Sequence, residues 1–280
     1  MTVKLSAIQL CSVPDIKANL AKIEQQLAQL PQADEHIVVL PECCLFFGGK
    51  DRQQLTIASQ EKSISQMQEG LSSLAKRFSL YLVAGSIPVA NSVDTDKFAN
   101  TCLMFAPNGE LLLHYQKIHL FDVEVEDSEK NYLESRYTSP GKDLAVADLP
   151  FAKLGLSICY DLRFPELYRS LTVCGADIIT VPAAFTRVTG KAHWQALLQA
   201  RAIENQVYIV AAGQEGRHEN GRETWGHSMI ISPWGEILAQ LPSGIGCISA
   251  DYDAELIKQV RNNIPVAKHN RFKTELIHDE

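Results

Sequence analysis

The sequence predicts a single α/β domain, and three observations lead there. Short apolar runs alternate with stretches in which apolar residues recur at every third or fourth position. Of the 280 residues, 46% are hydrophobic and 21% charged, a globular composition long enough for one substantial core. No Pro-, Gly- or Ser-rich linker divides the chain and no short repeat recurs. A split near residues 140–150 is the other arrangement this length allows, and composition gives it no support.

Taken in order, VKLSAIQL (3–10) reads as a strand. DIKANLAKIEQQLAQL (15–30) is helical, with Ile16, Leu20, Ile23, Leu27 and Leu30 on one side. EHIVVLPE (35–42) is a short buried strand stopped near Pro41. In ISQMQEGLSSLAKRFS (64–79), Ile64, Met67, Leu71, Leu74 and Phe78 again share a helical face. YLVAGSI (81–87) is a strand, and TCLMFAPNGELLLHY (101–115) is two strands around Asn108-Gly109. LGLSIC (154–159) is a strand and PELYRSLTVCG (165–175) a helix, opened by Pro165 and closed by Gly175. ADIITVPAA (176–184) is a strand and HWQALLQARAIENQ (193–206) a helix. VYIVAAG, the unit HSMIISPWGEILAQ (227–240) with its turn at Pro233-Trp234-Gly235, and GCISADYD supply the last strands.

Charge and cysteine usage exclude several classes. Lys plus Arg number 26 and Asp plus Glu 33, a formal net charge of −7, which argues against a nucleic-acid-binding face. The N-terminal apolar stretch is soon broken by charge, and no run is long enough to cross a membrane, so a cytoplasmic protein is expected. The seven cysteines are irregularly spaced without a CxxC pair, which weakens zinc and redox-disulfide readings and fits a reducing compartment.

Polar or reactive residues sit where strands end: Glu42 after IVVLP, Cys159 after LGLSI, and Thr186-Arg187 after VPAAF. Active sites of α/β proteins gather at such ends. Cys159 reads either as a packed core thiol, as Cys102 and Cys174 do, or as a nucleophile whose thiolate a following helix N-terminus would favour. A thiol nucleophile needs a base. His114, His119, His193, His218 and His227 are the internal histidines, and spacing selects none of them. A carboxylate serves instead if burial raises its pKa, and Glu42, between an apolar strand and CCLFF, is placed for burial; its other reading is an arginine's partner. Lys117, in LLLHYQKIHLF, either snorkels to solvent or is a buried cation aimed at an oxyanion, with Glu134 of YLESRYTSPG as a further carboxylate.

LPECC (40–44), YQKIHLFDV (115–123) and SICYDLRFPELYR (157–169) together resemble the nitrilase superfamily of carbon–nitrogen hydrolases. TGKAHWQALLQARAIENQVYIVAA (189–212) and GHSMIISPWGEILA (226–239) extend the resemblance over nearly the whole chain. It implies a four-layer α-β-β-α sandwich, assembled as a homodimer or larger homo-oligomer. It implies a hydrolase domain over residues 1–265 and a tail, 266–280, suited to a subunit interface. By position, Glu42 resembles the general base, Lys117 the oxyanion stabiliser, Cys159 the nucleophile and Glu134 the additional orienting carboxylate. The backbone N–H of Tyr160 would be the second oxyanion donor. No metal or organic cofactor is implied.

KIHLFDVEVEDSEKNYLES, PAAFTRVTGKAHW and GRHENGRETWGHS resemble most closely the branch that cleaves deaminated glutathione to 2-oxoglutarate and cysteinylglycine through a thioester. The alternatives are an ω-amidase acting on 2-oxoglutaramate and a non-enzymatic scaffold retaining the fold; a histidine-assisted cysteine protease is a different enzyme class. The implied substrates are small anionic amides, so the pocket should offer cations or N–H groups. Arg187 reads either as a carboxylate clamp or as a solvated surface arginine, with Arg163 and Arg217 as weaker choices whose other reading is a structural ion pair, and Phe121, Tyr160, Phe185 and Thr186 are expected around the reacting groups. Trp194, Trp225 and Trp234 read as packing residues.

Overall fold

A computed structural model describes residues 2–50, 52–127 and 131–277. The first half runs β1 (Val3–Gln9), α1 (Ile16–Leu27), β2 (Glu35–Val39), α2 (Gln53–Ala58), α3 (Glu61–Phe78), β3 (Tyr81–Ala90), β4 (Phe98–Phe105) and β5 (Leu111–Gln116). A small hairpin, β6 (Asp122–Glu124) with β7 (Asn131–Leu133), and the two-residue β8 (Thr138–Ser139) follow. The second half runs β9 (Val146–Asp148), β10 (Lys153–Leu156), α4 (Pro165–Val173), β11 (Ile178–Ala183), α5 (Arg187–Asn205) and β12 (Tyr208–Gly213). A second hairpin, β13 (Glu215–Arg217) with β14 (Glu223–Trp225), precedes β15 (Ser228–Ile231), β16 (Ile237–Leu241), β17 (Gly246–Asp251), α6 (Ala254–Asn263) and α7 (Val266–His269).

Two sheets form, ordered β17-β1-β2-β3-β4-β5, with β8 added beside β4, and β9-β10-β11-β12-β15-β16. Each has the same pattern: three adjacent parallel strands, one antiparallel strand on one flank and two on the other. The halves therefore repeat in topology although no repeat is visible in the sequence. Hydrogen-bond pattern depends on the backbone, and many apolar sequences satisfy it.

Strand alternation builds the layers. Leu5, Ala7, Ile37, Val39 and Val83 face the core shared with the second sheet, while Ile8, Val38, Leu82 and Ala84 face the helices. Those helices are α1, through Ile23 and Leu27, and α3, through Met67, Leu71 and Leu74. On the far side, Leu167 and Leu171 of α4 and Trp194, Leu198 and Ala202 of α5 cover the second sheet. The result is the four-layer α-β-β-α sandwich expected. Asp15 caps α1 by accepting the Ala18 N–H at 3.0 Å.

Several elements differ from the sequence expectation. The strand expected to reach Cys159 stops at Leu156. Helix α5 starts at Arg187, a turn and a half before His193, because Thr186 serves as its N-cap. Gly190 inside that helix admits the Trp225 side chain, which would lie 2.3–2.7 Å from an added Cβ. The two small hairpins, α2 and α6 were not anticipated. Cys174 is exposed rather than buried, and Trp234 is 61% exposed at its turn rather than packed. Among the described residues no helix is long and apolar enough to cross a membrane.

Candidate active site

The ends of β2, β5, β10 and β11 converge on one cavity. Glu42 lies three residues beyond β2, Lys117 directly follows β5, Cys159 lies three residues beyond β10, and Ala184 directly follows β11. Gly85 in β3 lets the chain leading to Glu42 pass close by; an added Cβ would lie 2.1 Å from the Leu40 carbonyl oxygen.

Lys117 is only 2% exposed and joins the two carboxylates. Its Nζ donates to Glu42 Oε1 at 2.9 Å and to Glu134 Oε2 at 2.8 Å. Asn100 Nδ2 also bridges them, at 3.0 Å from Glu42 Oε1 and 3.2 Å from Glu134 Oε1. The Ala184 N–H donates to Glu42 Oε2 at 2.9 Å, and the Phe121 N–H to Glu134 Oε2 at 2.7 Å. Every carboxylate oxygen is thus satisfied, as burial requires. Burial penalises the Glu42 carboxylate, but the Lys117 ammonium and the donated hydrogen bonds outweigh it and hold its pKa below the usual value. Burial likewise opposes charge on Lys117, and Glu134 and Glu42 together hold it well above its usual value. The site keeps an ionised carboxylate beside an ammonium, so the expectation of a Glu42 pKa raised by burial is corrected.

Cys159 stands at the start of a one-turn 3-10 helix, Cys159–Arg163, with φ +47°. A non-glycine residue in the left-handed region costs about 1–3 kcal/mol and is found where geometry is imposed from outside. The turn brings the thiol onto the wall of the cavity that Glu42 and Lys117 also line. Burial and the neighbouring Glu42 carboxylate hold the thiol well above its ordinary pKa, against the pull of Lys117. A helix end therefore does not make Cys159 a resting thiolate. The Asp161 N–H is the first internal donor of the turn, to Ile158 O at 3.1 Å. The Tyr160 N–H precedes it at the open N-terminal end. Cys43, the other thiol lining the cavity, is pushed by burial up to about 12 and receives the Gln54 amide at 3.4 Å.

Two buried side chains that the sequence did not point to hold these segments. The Asp161 carboxylate accepts from Tyr115 Oη at 2.8 Å, His119 N at 3.1 Å and Ile158 N at 2.9 Å, and meets His119 Nδ1 at 2.7 Å. It ties the Lys117 segment to the Cys159 turn. Gln214 Nε2 donates to the Glu42 carbonyl at 2.9 Å and to Ser12 Oγ at 2.8 Å, fixing the Glu42 segment. An aspartate within a motif and a lone glutamine after a strand carry no sequence signal for such a role.

The cavity measures about 510 Å³ and is lined by Glu42, Asn100, Lys117, Glu134 and Cys159 among others. Phe121, Tyr160, Phe185 and Thr186 also line it, as expected. Arg187 does not: as the first residue of α5 it points outward, 55% exposed, with Nη1 3.6 Å from Glu223. Arg163 lies over the Phe185 ring at 5.1 Å outside the lining, and Arg217 is exposed. The cations of the lining besides Lys117 are Lys50, Arg52, Arg136 and Arg222, none of them anticipated. They come from loops and a hairpin, whose direction no periodicity encodes. No histidine lines the cavity among the described residues.

A sequence profile of the carbon–nitrogen hydrolase family matches residues 4–262. A deaminated glutathione amidase of Yersinia enterocolitica is 41% identical over 273 residues, covering 98% of this chain and 94% of that one. The omega-amidase NIT2 of Xenopus tropicalis is 38% identical over 268 residues, covering 96% and 95%. Among solved structures, Nit3 of Saccharomyces cerevisiae, described as a member of branch 10 of the nitrilase superfamily, superposes with a TM-score of 0.82. It shares 34% sequence identity, with 97% of each chain covered.

Proposed function

The chain belongs to the carbon–nitrogen hydrolase family, and from that premise we propose that it is an amidase hydrolysing deaminated glutathione to 2-oxoglutarate and cysteinylglycine. The observation that carries the chemistry is the gathering on one cavity wall of a protonated thiol, Cys159, and an ionised carboxylate, Glu42, itself 2.9 Å from the Lys117 ammonium. Glu42 takes the thiol proton as sulfur attacks the amide carbonyl carbon. The carbonyl oxygen becomes an oxyanion, received by Lys117 and the Tyr160 N–H. Glu42 returns the proton to the leaving nitrogen, the C–N bond breaks, and a thioester remains. Glu42 then takes a proton from water as the hydroxide adds to the thioester carbonyl carbon, the C–S bond breaks to release the acid, and Glu42 returns the proton to the departing sulfur, restoring the thiol and the carboxylate. Glu134 and Asn100 orient the pair without exchanging protons.

The substrate assignment is supported by full-length identity to deaminated glutathione amidases and by a cavity of about 510 Å³, within the range of small-molecule sites, with cations on its walls. A second reading, ω-amidase action on 2-oxoglutaramate, is supported by the 38% identity to the frog NIT2 protein. The two substrates share the 2-oxoglutaryl half, so they are decided by rate. In a side-by-side assay, kcat/KM for deaminated glutathione is expected to exceed that for 2-oxoglutaramate; the reverse order moves the protein to the ω-amidases.

The pH profile follows from the two shifts. The competent state has Glu42 ionised and Cys159 protonated. Glu42 lies below the ordinary carboxylate value and Cys159 well above the ordinary thiol value. Turnover is thus expected to stay level from about pH 5.5 to pH 8, falling only outside that window. A limb near the histidine value would point to a histidine base and sink the Glu42 assignment.

We read residues 1–265 as the hydrolase unit and 266–280 as a tail that meets a second subunit in a homodimer or larger assembly. Phe272 and Ile277 support this, each 86% exposed on a single chain, while residues 278–280 lie outside the described residues. Seven free thiols support a cytoplasmic location.

A further inference from the structure

We propose that Arg222 binds a carboxylate of the substrate remote from the scissile amide and thereby selects anionic over neutral amides. The inference rests on the cavity being the amidase site. Of the four lining cations other than Lys117, Lys50, Arg52 and Arg136 are exposed, and Arg222 alone is half-buried. Its guanidinium lies over the Tyr132 ring at 5.0 Å, and Nε is fully buried with no hydrogen-bond partner among the described residues. No carboxylate forms an ion pair with it among the described residues. Glu223, the next residue, also lines the cavity but pairs with Arg187, at 3.6 Å. A half-buried guanidinium whose Nε is desolvated and unpartnered, at the wall of a cavity, suits a carboxylate, which can accept two parallel N–H bonds in the plane of the fork.

The position is rigidly set. Arg222 closes the turn of the β13–β14 hairpin, its carbonyl accepting the His218 N–H at 2.9 Å and its own N–H donating to Asn220 Oδ1 at 3.2 Å. His218 anchors the hairpin, sharing hydrogen bonds with Thr224 Oγ1 at 2.8 Å and the Ser12 carbonyl at 3.2 Å. From Arg222 an aromatic wall leads to the nucleophile: Tyr132 lies 5.1 Å from Phe121, and Phe121 lies 5.1 Å from Tyr160, the neighbour of Cys159. A substrate with its amide at Cys159 and its chain along this wall extends toward the guanidinium. The carboxylate has two sources, the 2-oxo acid half or the glycine end of the leaving dipeptide.

The test compares wild type, Arg222→Gln and Arg222→Lys on deaminated glutathione, on 2-oxoglutaramate and on the methyl ester of 2-oxoglutaramate. Arg222→Gln is expected to lose about 10- to 100-fold in kcat/KM on carboxylate substrates, mainly through KM, with a smaller loss for Arg222→Lys. Activity on the ester should stay within about threefold of wild type, which also shows that the variant folds. Loss on both carboxylate substrates places the 2-oxo acid at Arg222; loss on deaminated glutathione alone places the glycine carboxylate there. An equal loss on the ester, or no loss on any substrate of an active wild type, overturns the role of Arg222 and leaves the amidase reading intact. A wild type silent on both 2-oxo amides overturns the substrate reading and this one with it.

Discussion

Cys159→Ala is expected to abolish turnover, by about 10⁴-fold or more, while the protein stays folded and continues to bind substrate. The substitution removes one sulfur atom from a site where Glu42 keeps its bonds to Lys117, Asn100 and Ala184. No buried charge loses its partner, and alanine meets the same left-handed backbone as cysteine. The stability change is therefore expected within about 1 kcal/mol. Steady-state hydrolysis and chemical denaturation on the same preparation check both halves. A quenched wild-type reaction should carry the acyl group on Cys159 by mass spectrometry. A folded variant within tenfold of wild-type activity would remove Cys159 from the mechanism.

Lys117→Met should be the most costly substitution for the fold as well as the site. It leaves Glu42 and Glu134, with side chains 7% and 19% exposed, facing each other without a cation. Removing one partner of a buried ion pair costs about 3–5 kcal/mol. In wild type, Glu42 is held below its unfolded value, so it contributes stability above the ordinary carboxylate pKa and loses it as pH falls through the folded value. Without Lys117 the sign reverses. Burial and the neighbouring Glu134 carboxylate then raise the folded pKa of Glu42, so the deficit is largest at neutral pH and shrinks as pH falls. Denaturant midpoints at pH 7.5 and pH 5 read this directly, and an equal deficit at both would refute the coupling. Turnover should fall by about 10²–10³-fold or more if the cation is the oxyanion donor proposed above.

Both expectations follow from electrostatic organisation set before substrate arrives. The Glu42 carboxylate is fixed by donors on three separate segments, Lys117, Asn100 and Ala184, and the ammonium by Glu42 and Glu134, so little reorganisation remains when negative charge develops on the carbonyl oxygen. The strained backbone at Cys159 has the same consequence, since its side chain direction is decided by the fold around it.

The sequence by itself determined most strands of the two sheets, the apolar faces of the longer helices and the segments bearing Glu42, Lys117, Cys159 and Glu134, but neither small hairpin. Hydrophobic periodicity is a local property, and each of those segments carries its signal within about ten neighbours. The tertiary structure alone decided what meets. Asn100 reaches Glu42 from β4, the Ala184 N–H from the end of β11, and Asp161 joins two segments through Tyr115 and His119. These contacts span 42 to 142 residues of chain, and no local pattern encodes a partner at that distance. The sign of the Glu42 shift is likewise illegible in the sequence, because burial raises it and only the placed Lys117 and the donated hydrogen bonds lower it. Arg187 and Arg222 make the same point from the surface. Both are arginines near strand ends, and only the start of α5 and the closure of the β13–β14 hairpin turn one outward and bring the other to the cavity.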